Sequence, residues 1–143
     1  SLEKGLIVPS NAKYCYLIVQ AVEIWNTSPN ILTGVNDKLY ISDGIGNLII
    51  NIPQGLYDIT LLNAEIDRQM VSTGRPTNSF VIIGNNATQK TFIELLTTGT
   101  SVDFTQSNTI RDLLGFDSKI ITSIAPNQLF ESENLYSLIL FFL

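Results

Sequence analysis

Apolar and polar residues alternate along most of this chain, and a period of two is typical of β-strands with one buried face. Residues 37–42 (DKLYIS) place Leu39 and Ile41 on one face. Residues 47–52 (NLIINI) likewise place three apolar side chains on one face. The intervening DGIGN has the glycine content of a tight turn, so the pattern predicts a β-hairpin over these two segments.

Six further segments have the length and composition of strands. They are residues 14–25, 79–84, 90–96, 101–105, 118–124 and 135–143. The first is apolar on both faces at its start, which is typical of a strand in the centre of a sheet. We expect Gly84, Asn85 and Asn86 to supply the positive φ angles of a second hairpin turn. Residues 125–134 (APNQLFESEN) are expected to form a loop.

One segment, about residues 58–73, has helical periodicity. Its apolar residues at four-residue spacing are Leu62, Ile66 and Met70. Asp58 or Thr60 can cap the first turn, and Gly74 with the proline two residues later marks the end. We predict an amphipathic helix that covers part of a sheet. The residues expected on its solvated face are Asn63, Asp67 and Arg68.

A strand, a short helical turn and a glycine follow one another in SVDFTQSNTIRDLLGF. Val102 and Phe104 are expected to face inward. Thr109 is the expected N-cap of a helical turn over about residues 109–114, and Gly115 is the expected left-handed stop. We expect this stretch to turn the chain between two sheets, with Phe116 packed into the core.

These elements predict a mainly β protein, an antiparallel β-sandwich or jelly roll of about eight strands with one inserted helix. The length of 143 residues favours a single domain over residues 1–143. The apolar end at Phe141, Phe142 and Leu143 is also typical of a piece cut from a longer chain. The apolar run over residues 135–143 (LYSLILFFL) is about half the length that a membrane span needs, so we expect no membrane span.

Composition excludes several classes of function. Charged residues make up 15% of the chain, below the roughly 25% of typical globular domains. The formal net charge is −5, and only eight Lys and Arg residues are scattered along the sequence. Since affinity for nucleic acid comes mainly from clustered Lys and Arg, we expect no direct nucleic-acid binding.

The sequence contains no histidine. Histidine general bases, histidine-activated nucleophiles and histidine-ligated zinc are therefore excluded. Cys15, the single cysteine, lies in an apolar run and is expected to be a buried hydrophobic residue. The carboxylates lack the spacing of a calcium loop or another metal motif, so we expect no metal site. Because the sequence carries no catalytic signature, we also expect no enzyme activity and no cofactor. Asn26 and Asn86 begin glycosylation triplets, which matter only in a secreted protein.

The order of IPQGLYDITLLNAEI, a strand pair, VDFTQSNTIRDLLGF and SKII resembles structural proteins encoded by Polinton-like and adintovirus-like elements and by their virophage relatives. The resemblance covers roughly residues 52–133. Its most specific residues are Val102, Asp103, Phe104, Ser107, Ile110, Leu113, Leu114, Gly115 and Phe116. It implies a non-enzymatic capsid, vertex or spike subunit, made in the cytoplasm or nucleus of a host cell and located in the virion.

The expected partners are other copies of this chain, as a trimer or a pentamer, and other virion proteins. The alternative is a carbohydrate- or receptor-binding β-sandwich module that recognises a glycan or a host surface receptor. Its candidate recognition residues are aromatic side chains among amide-rich turns, namely Trp25, Tyr40 and Tyr57.

Overall fold

The computed structural model describes residues 10–11 and 28–138 of the chain. Seven strands and two helices lie in this part: β1 (Lys38–Asp43), β2 (Gly46–Asn51), α1 (Ile59–Ser72), β3 (Phe80–Asn85), β4 (Lys90–Leu95), β5 (Ser101–Asp103), α2 (Arg111–Leu114), β6 (Ile120–Thr122) and β7 (Gln128–Glu131). The strand predicted over residues 14–25 lies outside the described residues, as do Trp25 and Asn26.

The strands form two antiparallel sheets, so the predicted mainly β class is confirmed. The four-stranded sheet has the order β2-β1-β5-β6, and the three-stranded sheet has the order β3-β4-β7. Buried side chains from both sheets and from α1 form one hydrophobic core. The two predicted hairpins are β1 with β2 and β3 with β4.

Alternation decides which side chains enter the core. In β1, Leu39 and Ile41 are buried, while the residues between them face the other side of the sheet. In β5, Val102 is buried, as is Phe104 just beyond the strand. This pattern matches the sequence prediction because a residue on one face of a strand is separated from the next on that face by two positions.

Helix α1 packs its apolar stripe against the core. Leu62, Ile66 and Met70 are buried, and Asp58 is the N-cap because its carboxylate accepts the N–H of Leu61 at 2.7 Å. The helix contacts β2 and β3, which are edge strands of the two described sheets. It therefore closes one side of the core between them.

The predicted solvation of Asn63 is wrong. Its Nδ2 donates to the carbonyl oxygen of Ile82 at 2.7 Å, and its Oδ1 accepts the N–H of Ile82 at 2.8 Å. A side-chain amide carries the same donor and acceptor pair as a peptide group, so Asn63 occupies the outer edge of β3 as a neighbouring strand would.

Three strand and turn predictions need correction. Residues 125–134 were expected to form a loop, but they contain β7, which pairs with β4. Residues 135–138 of the last predicted strand form no strand, and residues 139–143 lie outside the described part. In the β3–β4 turn the positive φ belongs to Gln89, at 55°, rather than to Gly84, Asn85 or Asn86.

The helical turn differs from its prediction at its start. Helix α2 begins at Arg111 and has Ile110 as its N-cap without a side-chain hydrogen bond, so the predicted Thr109 cap is wrong. The backbone of residues 108–110 pairs with Lys38 instead. Gly115 ends the helix with a left-handed φ of 83°, as predicted. Since β5 and β6 are neighbours in one sheet, this stretch does not turn the chain between sheets.

Candidate functional site

The outer face of the four-stranded sheet, turned away from the core, carries a groove of about 470 Å³. We call it the outer-face groove. Strand register fixes its composition, because residues opposite each other on adjacent strands form rows across the sheet. Two neighbouring rows line the groove, and each of the four strands contributes one residue to each row.

The first row is largely apolar. Tyr40 lies opposite Ile49 on β2, and Asp103 lies opposite Ile120 on β6. Ile41 pairs with Val102 in the antiparallel pairing of β1 and β5. Tyr40 and Asp103 are the next residues on the two strands, so they lie opposite each other and join the two pairs into one row. Ile49 is 52% exposed and Ile120 is 57% exposed. Apolar side chains are thus presented to solvent on both sides of the tyrosine.

The second row is polar throughout. Ser42 lies opposite Asn47 on one side and Ser101 on the other, and Ser101 lies opposite Thr122. The hydroxyls of Ser101 and Thr122 are hydrogen-bonded at 2.9 Å. Within the described residues, no hydrogen bond engages the side chains of Tyr40, Ser42 or Asn47. These groups remain free to bind a ligand.

Asp103 places a fixed negative charge at the groove. Its Oδ1 accepts the N–H of Thr105 at 2.9 Å and also the Thr105 hydroxyl, while its Oδ2 accepts Nε2 of Gln106 at 2.8 Å. These hydrogen bonds from Thr105 and Gln106 lower the pKa of Asp103 from its ordinary value. The carboxylate is therefore ionised at neutral pH and held in one orientation.

The residues that carry the family resemblance serve mainly as core. Val102, Phe104, Ile110, Leu114 and Phe116 are buried, and Leu113 packs partly against them. The rings of Phe104 and Phe116 are stacked, with centroids 5.2 Å apart.

Two of the motif residues are polar and lie elsewhere. Ser107 lies outside the core, where it lines a separate depression of about 280 Å³. Asp103 lines the outer-face groove. Within the motif, only this carboxylate reaches the groove.

The structure describes two of the three aromatic residues proposed for recognition and places them in different surroundings. Tyr40 lines the groove, whereas Tyr57 is half-buried and packs against the core. Burial raises the pKa of Tyr57. Trp25 lies outside the described residues. Sequence reasoning did not select the other groove residues, which are Ser42, Asn47, Ile49, Ser101, Gln106 and Ile120. The alternation of apolar and polar residues predicted which face of its strand each strand residue occupies, but it did not predict the order of the strands.

A second apolar surface covers the outer face of the three-stranded sheet. One row joins Val81, Glu94 and Leu129, and the next joins Ile83, Phe92 and Glu131. Leu129 is 51% exposed and Ile83 is 42% exposed. We call these six residues the three-strand face.

The carboxylates noted in the sequence mostly serve local structure. Glu65 accepts from Arg68 and Gln69, Asp67 accepts the N–H of Asn78, and Glu133 pairs with Lys119. No group of three or more acidic or cysteine side chains among residues 10–11 and 28–138 could hold a metal ion. In the same residues, no helix is both long and apolar enough to cross a membrane.

No protein-family model, curated protein or solved structure matches this chain. The geometry of the two surfaces is therefore the basis for a functional proposal.

Proposed function

We propose that this chain is a non-enzymatic structural protein that assembles with copies of itself through a sheet face. The observation that carries the proposal is the three-strand face, where Val81, Ile83, Phe92 and Leu129 form an apolar cluster on the side turned away from the core. Contiguous exposed apolar surface of this kind marks interaction sites, since its burial on assembly is favourable.

The charges of this face suit a specific contact rather than indiscriminate association. Glu94 and Glu131 lie among the apolar residues, and Lys90 pairs with Glu131 at 3.9 Å. Charged groups at an interface favour one register, because like charges placed opposite each other are costly. In a virion this role would be that of a capsid, vertex or spike subunit, as the sequence resemblance implies, and it would place the protein in the virion with other virion proteins.

The test is the solution mass of the protein, measured by light scattering over a concentration series. We expect a defined multiple of the 15.8 kDa chain mass, such as a trimer or a pentamer. Substituting Leu129→Lys or Ile83→Lys should reduce the mass to that of one chain, because a buried unpaired charge opposes assembly. Val71→Lys is the matched control, since Val71 is an exposed apolar residue on α1.

A monomer at every concentration would contradict self-assembly through this face. An oligomer that persists in both variants, when their circular dichroism spectra show that they are folded, would also contradict it. Closed rings or shells in electron micrographs of the assembled protein would support the virion role, whereas open, irregular aggregates would count against it.

A second candidate function is a carbohydrate- or receptor-binding module. It is favoured by one observation, the outer-face groove, in which Tyr40 lies beside polar groups that have no partner within the described residues. The two functions use faces of different sheets, so a spike-type subunit could combine them.

A further inference from the structure

We propose that the outer-face groove binds a neutral saccharide, with Tyr40 as its stacking surface and the polar row as its hydrogen-bonding partner. This inference rests on the second candidate function and names its ligand class and its residues. It does not depend on self-assembly through the three-strand face.

The two-row arrangement matches the two chemical sides of a sugar ring. A pyranose has an apolar C–H face and a polar hydroxyl edge, and aromatic rings contribute rigid apolar area for such faces. Adjacent rows on these antiparallel strands lie about 6.8 Å apart, at two residues of about 3.4 Å each. A ring resting on Tyr40 would direct its hydroxyl edge toward Ser42 and Ser101.

Free donors and acceptors lie where those hydroxyls would reach. Asn47 offers an amide and Ser42 a hydroxyl, and neither side chain has a hydrogen-bond partner in the described chain. The two residues lie opposite each other on β2 and β1. Asp103 keeps acceptor capacity on Oδ2 beyond its hydrogen bond from Gln106. That remaining acceptor site suits a saccharide hydroxyl better than an apolar ligand, which would leave the carboxylate and the polar row desolvated.

The charge of Asp103 disfavours an anionic ligand. Asp103 is ionised and held by Thr105 and Gln106, while Lys38, at the far end of β1, is bound to the Asn51 side chain at 2.6 Å. A carboxylated or sulfated sugar would meet a like charge without a free cation in the groove. The groove volume of about 470 Å³ lies within the roughly 300–1,000 Å³ of small-molecule sites.

The experiment is an NMR titration of the isotope-labelled chain with maltotriose, cellotriose, N-acetylated chitotriose and lactose. We expect saturable shifts for at least one of them, concentrated at Tyr40, Ile49, Ser101 and Asp103. Tyr40→Ala should weaken that binding at least tenfold, a loss of about 1.4 kcal/mol. Ser42→Val retains strand propensity and should also weaken it, which keeps the test decisive if Tyr40→Ala misfolds.

Val71→Ala, on the surface of α1, is the control and should bind as the parent chain does. A sialylated or sulfated trisaccharide should bind at least tenfold more weakly than the neutral one. Absence of binding by all four neutral sugars up to about 10 mM would overturn the proposal. Shifts confined to another surface, or unchanged affinity in folded Tyr40→Ala, would also overturn it. Light scattering of the same samples reports self-assembly separately, so either idea can fail alone.

Discussion

Arg75 holds Asp43 in a two-pronged ion pair, with Nε 2.8 Å from Oδ2 and Nη2 3.2 Å from Oδ1. Nη2 also donates to the carbonyl oxygen of Gly46 at 2.9 Å. The pair joins the segment after α1 to the β1–β2 turn, and the two side chains are only 5% and 10% exposed. Removal of one partner would leave the other charge buried and uncompensated.

We therefore expect Arg75→Met to lower the free energy of unfolding by about 3 kcal/mol. Urea denaturation followed by circular dichroism measures this change. The control is Arg68→Met, which breaks an ion pair between Glu65 and an arginine that is 64% exposed. Because solvent screens exposed pairs, this control should leave the urea midpoint nearly unchanged. Equal shifts in both variants would show that burial of the Arg75 pair is unimportant.

The same pair makes stability depend on pH. Burial acts to raise the pKa of Asp43, but hydrogen bonds from Arg75 and from the N–H groups of Ile45 and Gly46 outweigh it, so the pKa is lowered. A lowered pKa in the folded state gives stability that is complete above the unfolded pKa. That stability is lost as the pH falls through the folded pKa. Urea midpoints should therefore stay level between about pH 7 and 5 and decrease below about pH 4.

Arg75→Met should show a shallower acid decrease than the parent chain, because its Asp43 no longer has the arginine that favours the ionised form. Urea titrations of both proteins across the same pH series provide the comparison. Parallel curves would assign the acid sensitivity to other carboxylates, of which Glu65 also has a lowered pKa through its hydrogen bond from Arg68.

Substitutions at Gly115 and Gly74 can separate two costs of adding a side chain, the strain of a left-handed backbone and the steric clash with neighbouring atoms. Both have left-handed φ angles, 83° and 85°. A Cβ on Gly115 would lie 2.2 Å from the carbonyl oxygen of Asn134, whereas one on Gly74 would meet nothing within 4 Å. Gly74→Ala should cost about 1 kcal/mol from conformation alone. Gly115→Ala should cost at least twice as much, and Gly115→Val more still.

Thermal denaturation of the three glycine variants provides the measurement. Equal losses for Gly74→Ala and Gly115→Ala would mean that the segment at Asn134 moves aside without cost. An unchanged melting temperature for Gly115→Val would instead show that the left-handed end of α2 is unimportant to stability.

Local signals made much of the fold predictable. Leu39 and Ile41 alternate, Asp58 can cap within its own turn, and Gly115 needs only its own φ angle. Strand β7 escaped prediction because Leu129 faces outward and pairing with the distant β4 stabilises the segment. Thr109 failed as a cap because pairing to Lys38 fixes the backbone around it.

The groove was less predictable than the fold. Tyr40 was a candidate for recognition, but its placement beside Asp103 depends on β1 pairing with β5, which lies far away in sequence. A period of two assigns each residue to a face, yet it carries no information on which strands become neighbours. The residues that lie alongside Tyr40 therefore required the strand order.

The edge of β3 is expected to depend on one side chain. Asn63→Ala should lower the free energy of unfolding by about 2 kcal/mol, because it leaves the N–H and C=O of Ile82 without their partner. Urea denaturation checks this, with Thr60→Ala, an exposed position on the same helix, as the control. A loss no larger than that of the control would mean that water replaces the amide without cost.

The amide of Asn63 also makes one edge of the three-stranded sheet different from the other, because it hydrogen-bonds the backbone of β3. At the outer edge of β3, the Asn63 side chain occupies the hydrogen-bonding positions of Ile82 that a strand from another copy would need. This contact opposes strand-by-strand addition of copies at that edge. If copies assemble as proposed, strand addition at this edge of β3 does not serve them, and side-chain surfaces such as the three-strand face carry the contact instead.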